Sequence, residues 1–598
     1  MCDCRRIIGS EQISMSQWSH GKLIMLLLGI SYFFLMFGNG IVSLTHPDEV
    51  FYVQSAKEML ANHSWLTPMI FDQPHFEKPI FFFWLLAACI KWLGLTPFSA
   101  RLMPALFGII GVMVTYWIAW MIFLNKRTAF LSGVILATSF IYIALSRAVL
   151  TDMVFTILVV IALAFFYYGF INKDRRDWGI VLCFIFSGLA VLTKGVLGIL
   201  FVFAPAVAFL SFKRELKFFR NQATLWGILI FLGLVIPWHL YMVRSYGQSF
   251  IDEYIINDHI RRIFDAEHQK SNTFYFYPMT MLGGMFPWGL FLLPAGFGIY
   301  KSVRKSGASR DQFIFLLCWI FIILGGVQIA HSKLASYIFP VFPALAIIIG
   351  SYFEGVLSRS ESGLPKSMKA FAYIISVLLL SVSAAAIIFG QKYSGYVGSA
   401  VYPVVFGGLF FVCGLAIFIF NRKNHFSKLI GAVASISAIL LTGLFFGRHY
   451  AEPWVSCEKI SNVLKGIDQS DSTILTSKFY VRGIRYYTDR KMAVIDINGE
   501  GFFSPHPIPF LRSDGEVIDF LYQQPVTFCI VKESNVKDLE RIAEGKFRLT
   551  RYEEMGGKYI LKIERIYNNH SYTPQARGQS NRFLPRRSPS SFSRISVL

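Results

Sequence analysis

The sequence predicts a polytopic α-helical membrane protein of about 13 spans with an α/β domain at its C-terminal end. Three observations carry this. Of the 598 residues, 54% are hydrophobic and only 16% are charged, where a soluble domain has about a quarter charged. Apolar runs of about 20 residues, each long enough to cross a bilayer, recur from Leu23 to Phe446. From Ala451 to Arg565 the pattern changes, and β-rich runs (STILTS, MAVIDI, VTFCIVK, KYILKIER) alternate with helical ones such as VKDLERIAEG.

The spans read as 22–44, 99–124, 128–146, 150–171, 178–193, 196–212, 223–243, 279–302, 311–330, 335–356, 369–389, 401–420 and 427–447. The first shows no cleavable-signal pattern and is long enough to stay in the membrane. Alternate loops separate by charge. One set holds Arg5/Arg6, Lys126/Arg127, Lys173/Arg175/Arg176, Lys213/Arg214/Lys217/Arg220, Lys301/Arg304/Lys305/Arg310, Lys366/Lys369 and Arg422/Lys423/Lys428. The other holds mostly single cations: Arg147, Lys194, Lys333 and Lys392. The positive-inside rule places the first set and the N-terminus in the cytoplasm, and an odd span count places the C-terminal domain outside. The run Pro79–Gly94 is apolar but short and carries Lys91, so it reads as a helix lying at the outer interface.

Two large loops then face out, about 45–98 and 244–278. The chain divides into a cytoplasmic tail (1–21), a transmembrane region (22–448), an extracytoplasmic α/β domain (449–567) and a basic tail (568–598). That tail is rich in Ser, Arg and Pro and lacks the apolar residues for a core, so it reads as disordered. The net charge of +21 sits mainly in short loops and the tail, so no nucleic-acid partner is expected. The cysteines show no metal spacing. Cys457 and Cys529 could pair if their domain is extracytoplasmic.

The polar residues that could carry chemistry gather in the outer loops. After the first span comes THPDEVFYVQSAKEML, and then FDQPHFEKPIFFFWL. Carboxylates beside lipid are costly and usually functional. For Asp48 and Glu49 two readings stand: a cap for the helix that follows, or catalytic or sugar-binding carboxylates. Glu77 and Lys78 add an acid-base pair to the same loop. Pro79 holds the backbone of Lys78 extended, and a fixed cation there can neutralise a departing or accepting phosphate. Lys194, Arg261, Arg262 and Lys333, which is close to Tyr337, fall on the same side. Each alone reads as a snorkelling cation; as a set they suit a lipid phosphate. Asp152 either pairs with nearby Arg147 or lines the same cavity. Glu77 and His259 form a possible divalent-metal pair; no organic cofactor is expected.

Taken together, HPDEVFY, FEKPIFFFWL, LTDM, LTKGVLG, IPWH, NDHIRRI and SKLASYIFP resemble, in order, the lipid A aminoarabinose transferases. These are relatives of the protein O-mannosyltransferases and share the GT-C membrane fold. Two departures stand out. PDEVFY occurs where many relatives have Arg or Pro after the acidic pair, and Ala-Ser occurs in HSKLASYIFP where Pro-Thr is usual.

The resemblance implies a multi-pass inner-membrane glycosyltransferase with a periplasmic C-terminal domain. It would move a sugar from undecaprenyl phosphate to an envelope acceptor, most readily lipid A, with inversion at the anomeric carbon. Membrane lipids would be its other partners. Asp48 matches the essential first-loop Asp, and Glu77 and Lys78 match a Glu-Lys pair with Lys78 near the lipid phosphate. His259 matches a position that joins Glu77 at a metal, Tyr337 flanks the phosphate pocket, and Arg262 is a phosphate ligand. A protein or polymer acceptor, or a lipid-linked sugar flippase, are the competing readings. A flippase would show repeated halves and broken mid-membrane spans, whereas this chain concentrates its polar residues in outer loops.

Overall fold

The computed structural model describes residues 18–261, 273–304, 308–358, 363–392 and 401–566, apart from 469, 498, 500 and 503–505. The expected disorder of the 568–598 tail concerns residues outside that set.

Continuous apolar sequence in lipid leaves helices as the way to satisfy every backbone group, and each expected span has a helical counterpart. α1 (His20–Ser31) runs into a π turn (Tyr32–Met36) and ends well short of residue 44. Then follow α2 (Asp48–Ala61), α3 (Phe81–Leu93), α4 (Pro97–Phe123), α5 (Lys126–Ala137), α6 (Phe140–Ser146), α7 (Thr151–Ile171), α8 (Arg176–Lys194), α9 (Leu197–Lys213) and α10 (Gln222–Tyr246). Later helices cover Phe276–Gly284, Leu292–Arg304, Ala308–Ile329, Phe342–Leu357, Lys366–Lys392, Val401–Arg422 and Phe426–Val455.

The count of 13 spans is not reproduced by length and composition. Among the described residues nine helices are long and apolar enough to cross a membrane, or up to 11 if each bent pair is one span. The bent pairs are α5 with α6 and the Phe276–Gly284 helix with Gly289–Arg304. α1 and α9 fall short of span length. α3 has 13 residues, too few to cross about 30 Å of hydrocarbon at 1.5 Å per residue. It packs on α2, α4 and α8.

α7 is largely enclosed, packed against α4, α8 and α9. α10 keeps most of its apolar surface outward, as a lipid-facing helix should.

Two short strands, β1 (Met69–Ile70) and β2 (Gln73–Pro74), form a hairpin in the segment between α2 and α3. The C-terminal region holds β3 (Ile474–Ser477), β4 (Met492–Ile495), β5 (Phe510–Leu511), β6 (Val526–Lys532), β7 (Phe547–Met555) and β8 (Lys558–Arg565). They form one mixed sheet in the order β5-β4-β3-β6-β8-β7, with β3, β4, β5 and β6 parallel and β8 antiparallel to both β6 and β7.

Side-chain alternation along these strands splits the sheet's two faces. Leu475, Ala493, Ile495, Cys529, Val531, Leu561 and Ile563 pack under the Asp514–Tyr522 and Glu533–Ala543 helices. Ile474, Val494, Phe528, Ile530 and Ile560 join the core that continues into the membrane helices. Cys457 lies in the second of these cores and Cys529 in the first, and both are unpaired, so the disulfide considered from sequence is not formed. β5 and β7 were not expected. β7 is mostly exposed along its length, so it carries little of the apolar signal by which strands are read.

The C-terminal region is anchored to the segment between α1 and α3 by specific bonds. The backbone N–H of Ser43 donates to Glu452 Oε1 (3.1 Å), that of His46 to the Val455 carbonyl (3.0 Å), and the Tyr487 hydroxyl to the Leu44 carbonyl (3.0 Å). Arg485 reaches Asp72 at 2.7 Å. α2 is covered from both sides and is buried along most of its length.

Candidate active site

The first turn of α2 sends its two carboxylates in opposite directions. Glu49 turns into the protein and is 4% exposed. Its Oε2 accepts from Arg101 Nη2 (2.6 Å) and from the Thr45 backbone and hydroxyl (2.9 and 2.8 Å). Its Oε1 accepts from Arg101 Nε (2.8 Å) and the Val149 N–H (3.0 Å). Arg101 spends its remaining donors on the carbonyls of Asn39, Val42 and Ser43. Burial pushes the Glu49 carboxyl up, but Arg101 and the Thr45 bonds outweigh it and hold it below the usual carboxylate range. The network is closed and leaves Glu49 no face for a substrate.

Asp48 turns outward, with its side chain 65% exposed and Oδ1 4.0 Å from Arg482 Nη1. Arg482 comes from the Val481–Thr488 helix of the C-terminal region. Its Nη2 also stands 3.5 Å from Glu77 Oε1. Burial raises Glu77, but Arg482 first and Lys78 next bring its carboxyl down to about 2.

Lys78 is fixed at its tip. Nζ donates to the Glu77 carbonyl (2.8 Å) and to Asp258 Oδ2 (2.7 Å). Asp258 belongs to a π-helical segment, Ile251–Arg261. Glu253, on the same segment, accepts from the Phe76 N–H (3.1 Å). Burial, with the Glu77 and Asp258 charges, raises its carboxyl to about 7.

A second lysine–aspartate pair lies beside the first. Lys194 ends α8, and Gly195 follows with φ of +76°, a conformation that stops the helix at no steric cost. Lys194 Nζ donates to Asp152 Oδ1 at 2.6 Å and lies 5.2 Å from the centre of the Tyr337 ring. Asp152 therefore pairs with Lys194. Arg147, the alternative partner, donates to the Phe34 and Phe37 carbonyls instead. Tyr52 of α2 feels the charges of Asp152, Asp48 and Glu77 together, and Lys78 acts on Asp152, so one region holds all of them.

Of the other expected residues, Lys333 is buried and Tyr337 half-buried. Arg261 is exposed and bonds Asn257 Oδ1 at 3.3 Å. Arg262 and the side chain of His259 lie outside the described residues. Among the described residues no group of three His, Cys, Asp or Glu side chains is placed to hold a metal ion. The carboxylate expected to ligate one, Glu77, faces the Arg482 guanidinium.

Sequence reasoning missed Arg482, Asp258 and Glu253. Asp258 and Glu253 lie in the loop that supplied His259 and Arg261, and an i, i+5 acidic spacing there was available as a signal. Arg482, in KFYVRGIRYY, carries no local signal; only the tertiary fold brings it to α2.

The chain resembles several known proteins. Residues 23–248 match the family model described as dolichyl-phosphate-mannose-protein mannosyltransferase. An uncharacterized protein of Aquifex aeolicus is 26% identical over 78% of this chain and 86% of its own length. The undecaprenyl phosphate-alpha-4-amino-4-deoxy-L-arabinose arabinosyl transferase of Pectobacterium atrosepticum is 30% identical over 52% of this chain, and the match spans only 56% of that protein. Among solved structures, ArnT from Cupriavidus metallidurans bound to undecaprenyl phosphate shares the fold, with a TM-score of 0.72 and 19% identity over 91% of this chain and 98% of that one.

Proposed function

We propose that the chain is a GT-C glycosyltransferase related to the aminoarabinose transferases and the protein mannosyltransferases, and that it transfers a sugar from undecaprenyl phosphate to lipid A; the family match, the named relatives and the shared fold support this reading. The observation that carries this reading is the Lys78–Asp258 pair beside Asp48 and Glu77. It fixes a cation adjacent in sequence to Glu77, which shares Arg482 with the outward-facing Asp48.

In the proposed reaction an acceptor oxygen attacks the anomeric carbon from the face opposite the phosphate. The bond from that carbon to the phosphate oxygen breaks, the configuration inverts, and undecaprenyl phosphate leaves with the electron pair. Lys78 neutralises the charge that develops on the leaving phosphate. Lys194 and Tyr337 flank the same region and suit the lipid phosphate. For a hydroxyl acceptor, Asp48 takes the proton; for a phosphate acceptor, already ionised, Asp48 orients it. Glu49 acts through Arg101 and the Thr45 backbone to set the angle of the α2 first turn, a positioning role. No step is routed through a metal.

The same reading divides the chain at about residue 448 and sets the N-terminus in the cytoplasm and the C-terminal region in the periplasm of the inner membrane. Mass spectrometry of lipid A from cells with and without the gene tests it. A sugar-sized mass present only with the gene is expected. An unchanged profile, with protein and donor both present, would move the acceptor to protein or polysaccharide.

A further inference from the structure

We infer that Arg482 is a positioning residue supplied by the C-terminal region, and that Asp48 and Glu77 are held for transfer only when that region is docked. The inference rests on the proposed transferase reading for its activity test, and on geometry for the rest.

Arg482 is the one described side chain that bridges the two carboxylates, through different nitrogens: Nη1 toward Asp48 at 4.0 Å and Nη2 toward Glu77 at 3.5 Å. Its own orientation is fixed from two further sides. The guanidinium lies 4.3 Å from the centre of the Phe51 ring, a stacking distance. His506 Nε2 accepts from Arg482 Nε at 3.2 Å and lies 3.0 Å from Nη2. A neutral imidazole is required for that acceptance, with its proton on Nδ1. His506 is itself stacked on Phe502 with ring centres 4.2 Å apart. A planar guanidinium suits such a seat, because it stacks and forks at once; a lysine would keep the charge and lose both.

The helix that carries Arg482 is brought close by its neighbour. A methyl group on Gly483 would stand 2.8 Å from Cys457 Sγ and 3.1 Å from His46 Cβ. His46 lies two residues before Asp48. The docking contact and the carboxylate bridge are thus consecutive residues of one helix.

The distances to Asp48 and Glu77 are longer than those of a tight ion pair. A guanidinium held by Phe51 and His506, rather than by the carboxylates, orients both without closing on either, and leaves Asp48 exposed.

The test uses purified full-length protein, with Arg482→Gln, Arg482→Lys and wild type compared in two ways. In transfer from an undecaprenyl-phosphate sugar, Arg482→Gln should lower kcat by about 100-fold, the cost of roughly 1 Å of misplacement. Its binding of undecaprenyl phosphate should stay within about twofold, Arg482→Lys should recover part of kcat, and added guanidinium should rescue Arg482→Gln more than Arg482→Lys. A merely structural role would lower the amount of folded protein without splitting kcat from binding, and would not be rescued. Hydrogen exchange gives the second reading and needs no activity. Arg482→Gln should speed exchange in segments 45–52 and 75–79 while leaving β6 unchanged. Unchanged exchange in both segments would overturn the inference. A wild type inactive in transfer but showing this exchange pattern would refute the transferase reading and leave the inference standing.

Discussion

The two sides of the α2 first turn hold the same chemical elements, a carboxylate and an arginine, in opposite states. Glu49 and Arg101 meet at 2.6 Å with both side chains about 5% exposed, and every donor is used. Asp48 and Arg482 stand 4.0 Å apart, and Asp48 is mostly exposed. A closed, buried pair is a structural joint whose partners cannot be separated without loss. An open, partly solvated pair keeps its capacity for a third group. On the proposed reading, adjacent residues thus divide between holding the loop and doing its chemistry.

The comparison breaks most visibly on its open side. Lys78→Met should lower transfer per folded molecule by about 100- to 1000-fold, the scale for removing one preorganised charge partner of a transition state, and should also lower the melting temperature, because buried Asp258 loses its 2.7 Å partner. Retained turnover would remove Lys78 from the leaving-group role. On the closed side, Arg101→Leu leaves Glu49 buried without its counter-ion and should destabilise the protein by about 3–5 kcal/mol, seen as a large fall in the melting temperature of the purified protein.

A smaller effect concerns the seam between α2 and the C-terminal region. Burial first, and Lys558 second, lower the His46 imidazole to about 4. The unfolded chain, near 6.5, then binds more protons than the folded one between these values. Stability is therefore full above pH 6.5 and is lost as pH falls toward 4. The melting temperature should drop on going from pH 7 to pH 5, and His46→Asn should flatten that slope. The smallest change belongs to the rim. Lys57 and Asp489 pair at 2.6 Å but Asp489 is 61% exposed, so Lys57→Ala should shift stability by no more than about 1 kcal/mol, and high salt should erase the difference.

The membrane region was legible because apolar runs report length directly. Where α1 gives way to a π turn, run length overstates helix length. The strands β3, β4, β6 and β8 were legible as apolar or alternating runs; β7, exposed on most of its residues, was not. At the candidate site, Asp48, Glu77, Lys78, Asp152 and Lys194 stood out in the sequence because a charge beside lipid contrasts with its surroundings. Their pairings were not, since Asp258 and Lys194 come from elements 180 and 42 residues away from their partners. Glu49 was grouped with Asp48 as a catalytic acid because sequence spacing does not say which way a helix turns each side chain. Arg482 was invisible for a different reason: in a soluble, charged domain an arginine is ordinary, and only docking gives it a role.

The most direct measurement compares Asp48→Asn with Glu49→Gln in the same purified preparation, recording turnover and melting temperature for each. Asp48→Asn should keep the wild-type melting temperature and lose turnover, while Glu49→Gln should lower the melting temperature. An active Asp48→Asn, or a Glu49→Gln that melts like wild type, would contradict the division of the two carboxylates between chemistry and structure.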